Sequence, residues 1–221
     1  FEKVYHFIKS IALKNKLNLI NSLQTSKGTL LDIGAGTGEF LSVAKENGWQ
    51  TVGVEPSEKA KSIALKKGVA FVENTSDLDD ASIDVITMWH VLEHVPDVEK
   101  QIVELKRLLK PGGTILIAVP NFNSFDAKYY GAFWAAYDVP RHLWHFSKTA
   151  IQSLFKKEGL QLIKVLPMKF DSFYVSLLSE KYKSGRMNFL KAFYIGLKSN
   201  WVGNQKMEYS SHIYVIKNHK N

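Results

Sequence analysis

Three glycines and two carboxylates at fixed spacing carry the clearest chemistry in this sequence. Leu30-Leu31-Asp32-Ile33-Gly34-Ala35-Gly36-Thr37-Gly38-Glu39-Phe40 reads as a buried strand running into a glycine turn that opens a helix. Glycine at 34, 36 and 38 permits left-handed backbone and close approach of a ligand, and the first N–H groups of the helix can take acceptor atoms. Glu55 closes the next strand, Thr51-Val52-Gly53-Val54-Glu55, nineteen positions after Gly36. A carboxylate there can hold a ribose diol through two hydrogen bonds, so the pair points to a nucleotide-like cofactor. A second group lies in Tyr137-Asp138-Val139-Pro140-Arg141-His142-Leu143-Trp144-His145-Phe146-Ser147. Pro140 sets a turn, and Arg141 can bind a carboxylate or phosphate. His142 and His145 are equal candidates to take a proton from a hydroxyl. Tyr137 and Trp144 supply aromatic surface beside them.

The spacing of the loop narrows the choice of cofactor. A dinucleotide fingerprint needs G-x-G-x-x-G, but here the third glycine comes one residue early and Glu39 stands where the last glycine belongs. Further motifs follow in order: Ile83-Asp84-Val85-Ile86-Thr87-Met88-Trp89-His90-Val91-Leu92-Glu93-His94-Val95, then Leu108-Leu109-Lys110-Pro111-Gly112-Gly113-Thr114-Ile115-Leu116-Ile117-Ala118-Val119-Pro120. With the Asp-x-Gly-x-Gly-x-Gly loop, they make the chain resemble the class I S-adenosylmethionine-dependent methyltransferases. Within these it is most similar to the small-molecule branch that includes the ubiquinone-type O-methyltransferases. The resemblance covers residues 28 to 165, with a weaker echo in the final strand.

That resemblance implies roles. Gly34, Ala35, Gly36 and Gly38 would shape the loop under the methionine half of S-adenosylmethionine, with Asp32 holding the loop or reaching the ammonium group. Glu55 would accept from the ribose hydroxyls, Asp77 and Leu78 would enclose adenine, and Met88 and Trp89 would lie at the ligand-binding end of their strand. The implied reaction is in-line methyl transfer to a small organic acceptor, oxygen favoured, yielding S-adenosylhomocysteine. A Pro-Arg-His…His-Phe run recurs in this branch, so Tyr137, Arg141 and Trp144 are assigned to the substrate side and His142 and His145 to catalysis. Glu93 and His94 lack a third ligand in register, so no metal site is assigned and His94 is read as a packing or loop-ordering residue.

The elements needed to position these groups are legible. At 221 residues, 45% hydrophobic and 12% aromatic, the chain suits one α/β domain. Strand-like stretches fall near 29–34, 51–55, 69–73, 83–89, 114–119, 162–168 and 210–217, with helices near 38–47, 57–67, 97–110 and 147–158. The expected fold is a Rossmann-like α/β sheet of seven strands, mostly parallel with an antiparallel last strand, and helices on both faces. A helical cap at 1–27 precedes it, with Val4, Phe7, Ile8, Ile11, Leu17 and Ile20 on its apolar face. Residues 171–205 form a helical basic insertion before the last strand. In it Met187, Leu190, Phe193, Tyr194, Leu197 and Trp201 recur at helical spacing among Lys183, Arg186, Lys191 and Lys198. Two readings compete there: a helix packed on the sheet with its lysines in water, or a cationic lid or membrane-surface helix. The packed helix is the commoner use of such a pattern.

Composition excludes several functions. There is no cysteine, hence no disulfide, thiolate metal site or cysteine nucleophile within these residues. No run of eighteen apolar residues and no secretory leader is visible, so the expected location is the cytoplasm, with peripheral membrane contact through 171–205 as a further option. The chain begins at Phe1 rather than methionine, which leaves room for an upstream segment. Net charge is +8, and residues 161–221 hold ten of the 29 Lys/Arg but three of the 21 Asp/Glu. Only Arg107, Arg141 and Arg186 are arginine, a poor supply for phosphate or guanine recognition, and no Asn/Asp-Pro-Pro-aromatic motif follows the fourth strand. Nucleic acid is therefore not an expected partner. The rival classes are a nicotinamide-dependent oxidoreductase, opposed by Glu39, and a non-catalytic membrane-surface module. The aromatic residues Trp134, Tyr137 and Trp144 suit an apolar or ring-bearing acceptor.

Overall fold

The computed structural model describes the backbone of residues 2–218 and the side chains of residues 9–218. In chain order the elements are α1 (Glu2–Leu23), β1 (Thr29–Ile33), α2 (Glu39–Glu46), β2 (Gln50–Val54), α3 (Glu58–Leu65), β3 (Ala70–Phe71), β4 (Ile83–Trp89), α4 (Val98–Leu108), β5 (Leu109–Pro120), α5 (Phe125–Tyr130), α6 (Lys148–Lys157), β6 (Leu160–Pro167), α7 (Asp171–Ser184), α8 (Phe189–Lys206) and β7 (Ser211–Asn218). The strands form one sheet in the order β3-β2-β1-β4-β5-β7-β6, mostly parallel with antiparallel last strands. β1 runs parallel between β2 and β4, which explains its near-continuous apolar sequence.

By contacts the chain divides into two compact units. The first comprises the chain through Met88, Glu104–Ile115 and the end of β7; the second comprises Trp89–Val103 and Leu116–Ile216. In the first unit, Leu30, Leu31, Leu41, Val85, Ile86 and Met88 are buried, each large aliphatic side chain contributing roughly 1.5–3 kcal/mol. The Ser57 hydroxyl caps α3 by accepting from Ala60 N–H at 3.3 Å. α1 belongs to this unit: Leu17 and Ile20 are buried, Lys9 pairs with Glu39 of α2 at 2.5 Å, and Trp49 Nε1 donates to Asn21. Val4, Phe7 and Ile8, expected on its apolar face, lie outside the described side chains.

The second unit packs Ala127, Tyr130, Trp134, Ala136 and Ile195 into one core cluster. Its organising polar group is Asp126, fully buried on α5. Asp126 accepts from Trp134 Nε1 at 2.8 Å, Ser199 Oγ at 2.6 Å and Ser210 Oγ at 2.7 Å, which ties α5, α8 and the approach to β7 to one carboxylate. Trp134 is thus a core residue, not part of an acceptor wall.

Two expectations about elements need correction. Helix 97–110 stops at Leu108, and Lys110-Pro111-Gly112-Gly113 already runs within β5, with Gly112 at φ 77° and Lys110 Nζ paired to Asp84 at 2.7 Å. The insertion is two helices rather than one, broken where Gly185 takes φ 75°. Its second helix also faces the unexpected way. Ala192, Ile195, Gly196, Ser199 and Gly203 are buried, while Leu190 (86% exposed), Phe193, Tyr194, Leu197 and Trp201 (62%) face solvent. The two stripes have the same spacing, displaced by two residues and therefore about 200° around the helix. The small stripe wins the interior because α7 lies too close for bulk: a Cβ on Gly196 would stand 2.6 Å from Phe173.

Candidate functional site

Asp32 lies inside β1 opposite Thr87 of β4, and the Thr87 hydroxyl donates to its carboxylate at 2.6 Å. Burial lifts the Asp32 pKa to about 6, against the lowering effects of the Thr87 bond and the Lys16 charge. The loop after β1 is fixed by its own amides. Gly34 and Ala35 N–H donate to Val54 O at 2.8 and 3.2 Å, and Gly38 N–H donates to Ala35 O at 3.0 Å. Gly36 N–H donates to the Glu55 carboxylate at 2.8 Å, and Glu55 also accepts from Ser57 N–H at 2.9 Å. The amides of Gly34, Ala35, Gly36 and Gly38 are thus engaged within the fold. At Gly36, with φ 53°, an added Cβ would meet nothing within 4 Å, which leaves the backbone open to approach. Glu55 keeps lone pairs beyond those two bonds, so a diol can still be received. These residues fit the expected cofactor.

The adenine-side candidates are ordered from below. Asp77 Oδ2 accepts from Asn74 N–H at 3.0 Å in a capping box, and the Leu78 carbonyl accepts from Arg107 Nη1 at 3.0 Å. Arg107 also bonds the Thr75 carbonyl at 3.1 Å, Glu104 and Asp80, which pins this turn from α4. That role for Arg107 was not legible in sequence. Met88 is fully buried in the core beside Ile33, whereas Trp89 is half-buried.

The second unit contains a cavity of about 310 Å³ walled by residues that include His90, Glu93, Arg141, His142, Asp171 and Ser211. Glu93 is 1% exposed; its Oε1 meets His90 Nδ1 at 3.3 Å, while His90 Nε2 meets Asp171 Oδ2 at 3.0 Å. Burial opposes charge on His90, but Asp171 and Glu93 together prevail and raise it to about 10, so the ring is an imidazolium at neutral pH. His90 takes φ 58°, a left-handed conformation uncommon among non-glycine residues. No sequence signal announced this group, because Asp171 comes from the inserted α7.

The structure sorts the substrate-side candidates. Arg141 and His142 line the cavity; Tyr137, Trp144 and His145 are not among its walls. Arg141 is engaged with Asp138 at 2.6 Å. His142 Nδ1 faces the Ala136 carbonyl at 2.8 Å, and burial lowers its pKa. His145 is exposed, with Nε2 3.0 Å from the Tyr137 carbonyl and its ring edge-on to Tyr137. Trp144 donates to Val95 O at 2.7 Å and borders a separate hollow with Pro96 and Leu154. Glu93, His94 and His142 bring ligand-type atoms within 4.8 Å of one another. Here Glu93 Oε1 faces His90, and Nδ1 of both His94 and His142 faces a backbone carbonyl.

Comparison with known proteins follows the same line. A family model for a methyltransferase domain matches residues 6–165. Ubiquinone biosynthesis O-methyltransferase of Cupriavidus pinatubonensis is 27% identical over 74% of this chain and 72% of its own length. The protein of that name from Idiomarina loihiensis is 34% identical over 42% of this chain and 43% of its own. The chain thus spans less than half of one such relative and about seven-tenths of the other. A solved Thermotoga maritima SAM-dependent methyltransferase, described as a possible histamine N-methyltransferase, aligns over 98% of this chain and 94% of its own, with TM-score 0.65 and 22% identity. Haemonchus contortus phosphoethanolamine N-methyltransferase 2, solved with S-adenosyl-L-methionine, aligns over 94% and 53%, with TM-score 0.61 and 20% identity. At these identities the likeness to solved structures is one of fold.

Proposed function

We propose, for a chain that belongs to the S-adenosylmethionine-dependent methyltransferase family, that it transfers a methyl group to oxygen of a small organic acceptor. The observation that carries this is the glycine loop tied to the end of the next strand by the Gly36–Glu55 bond, with open space at Gly36. Asp32 is suited to the ammonium end of the cofactor, Glu55 to the ribose, and the Asp77–Leu78 turn to adenine. S-adenosylmethionine, when bound, supplies a methyl group already activated on a sulfonium. The protein's share is alignment of the acceptor and removal of a proton if that acceptor is a hydroxyl.

The cavity walled by His90, Glu93, Arg141 and His142 is our choice for the acceptor. His142 has more support than His145 as the histidine of that site, since it lines the cavity and is held uncharged. Arg141 has less support as an anion-binding group than its sequence context suggested, because Asp138 already engages it. The test is a mass-spectrometric screen for methylated product over hydroxyl, amine and carboxylate compounds. Products confined to the hydroxyl set would support the reading, and products confined to amines would replace it.

A second reading concerns location. No helix of the described residues is long and apolar enough to cross a membrane. The outward stripe Leu190, Phe193, Tyr194, Leu197 and Trp201, in a lysine-rich segment, supports peripheral docking on an anionic bilayer. Flotation with phosphatidylglycerol vesicles should carry the chain, and Leu190→Asp with Trp201→Asp should abolish it. Equal flotation of that variant would remove the reading.

A further inference from the structure

Two residues that wall the acceptor cavity each carry a buried polar atom with no protein partner: Glu93 Oε2 and Ser211 Oγ. Each residue is almost fully enclosed, Ser211 at 0% and Glu93 at 1% exposure. A buried carboxylate oxygen without a donor is costly, and a ligand group can supply the missing donor. The rest of Glu93 is held. Its Oε1 lies against His90 Nδ1, and Asp171 grips the far side of the same ring at 3.0 Å. Among the described residues, then, the His90–Asp171 pair engages one oxygen of Glu93 and leaves the other without a protein donor.

Resting on the assignment of this cavity to the acceptor, we propose that Glu93 Oε2 takes the hydrogen bond of an uncharged hydroxyl compound and receives its proton as the oxygen is methylated. Ser211 Oγ completes the match. The Glu93 oxygen needs a donor and the Ser211 hydroxyl can donate or accept, and a hydroxyl group can answer both. A carboxylate or phosphate only accepts and would face Glu93, whereas an ammonium group only donates.

The charged walls agree. Glu93, Asp138 and Asp171 face one imidazolium, His90, and one guanidinium, Arg141, which Asp138 already pairs. An anionic acceptor gains nothing there. His142 is the less suitable proton acceptor, because its burial opposes the charge it would take on and none of its atoms is left buried without a partner. His90 cannot serve, since both ring nitrogens are engaged. Tyr174 and Tyr182, exposed residues among the walls, give a ring-bearing compound flat surface to lie against. In the reaction the acceptor oxygen forms its bond to the methyl carbon, the carbon–sulfur pair returns to sulfur, and the O–H proton passes to Glu93 Oε2. Charge balances, because the sulfonium becomes a neutral thioether as the carboxylate becomes a carboxylic acid.

The test uses 4-nitrophenol, whose colour reports its ionisation, added to the full chain in the presence of S-adenosylhomocysteine. The native chain should bind the un-ionised phenol at least tenfold more tightly than the phenolate, moving the midpoint of the bound probe up by about one pH unit. It should bind 4-nitrobenzoate at least tenfold more weakly. Glu93→Gln should erase the midpoint shift while S-adenosylhomocysteine binding, measured calorimetrically on the same variant, stays as in the native chain. Asp171→Asn should reduce the shift by releasing the clamp. Leu178→Trp, which would fill the cavity, should abolish probe binding. A probe bound as phenolate, or a shift unchanged in Glu93→Gln, overturns the role of Glu93. Probe binding that survives Leu178→Trp overturns the cavity assignment itself, and no binding by the native chain overturns both.

Discussion

Asp32 shows what a single residue can contribute beyond its motif. A carboxyl raised to about 6 by burial holds a proton in the folded chain between roughly pH 4 and 6 that the unfolded chain has lost. Stability therefore falls as pH rises through that window, by on the order of 3 kcal/mol in total, and Asp32→Asn should flatten the profile in urea titrations at stepped pH. Cofactor binding should run the other way. If the ionised carboxylate meets the ammonium group, affinity for S-adenosylhomocysteine rises with pH through about 6, and calorimetry on Asp32→Asn should lose that rise. His90 makes the complementary prediction: its ring should remain protonated at pH 8 by nitrogen NMR, and Asp171→Asn should bring its titration down toward neutrality. The glycines, Asp32 and Glu55 were legible because their spacing lies within adjacent elements. The cavity group was not, because Glu93, Asp171 and Ser211 meet only through the fold of the insertion and the final strand.

At the scale of elements, periodicity announced helices where they occur but could not say which face turns inward. In α8 two stripes of equal spacing compete, and the larger apolar one lies outside because Gly196 packs on Phe173. Gly196→Leu should therefore separate α7 from α8 and lower the urea midpoint, whereas Leu197→Ser on the outer stripe should leave it nearly unchanged. Asp126 makes the sharper stability prediction. Asp126→Ala would strand three buried donors, Trp134 Nε1, Ser199 Oγ and Ser210 Oγ, and should cost about 3 kcal/mol or more by denaturant titration. Sequence suggested Trp134 as acceptor surface because an aromatic side chain carries no sign of its direction; its buried indole N–H bond to Asp126 decides the matter.

For the molecule as a whole, the places of the seven strands along the chain were readable from the alternation of apolar runs and turn residues. The long β5 and the two-helix insertion were not. Both depend on glycines, Gly112 and Gly185, taking left-handed backbone where a sequence shows only a turn-former. The basic excess of residues 161–221 coincides with the insertion and its outer apolar stripe, and leaves the glycine-loop region nearly balanced in charge. The central claim is that the loop from Asp32 to Gly38, closed by Glu55, holds S-adenosylmethionine. Calorimetric titration with S-adenosylhomocysteine, run beside Glu55→Ala, tests it most directly. We predict micromolar binding by the native chain and at least a tenfold loss in the variant; no binding by a folded native chain, or equal binding by both, would contradict the account.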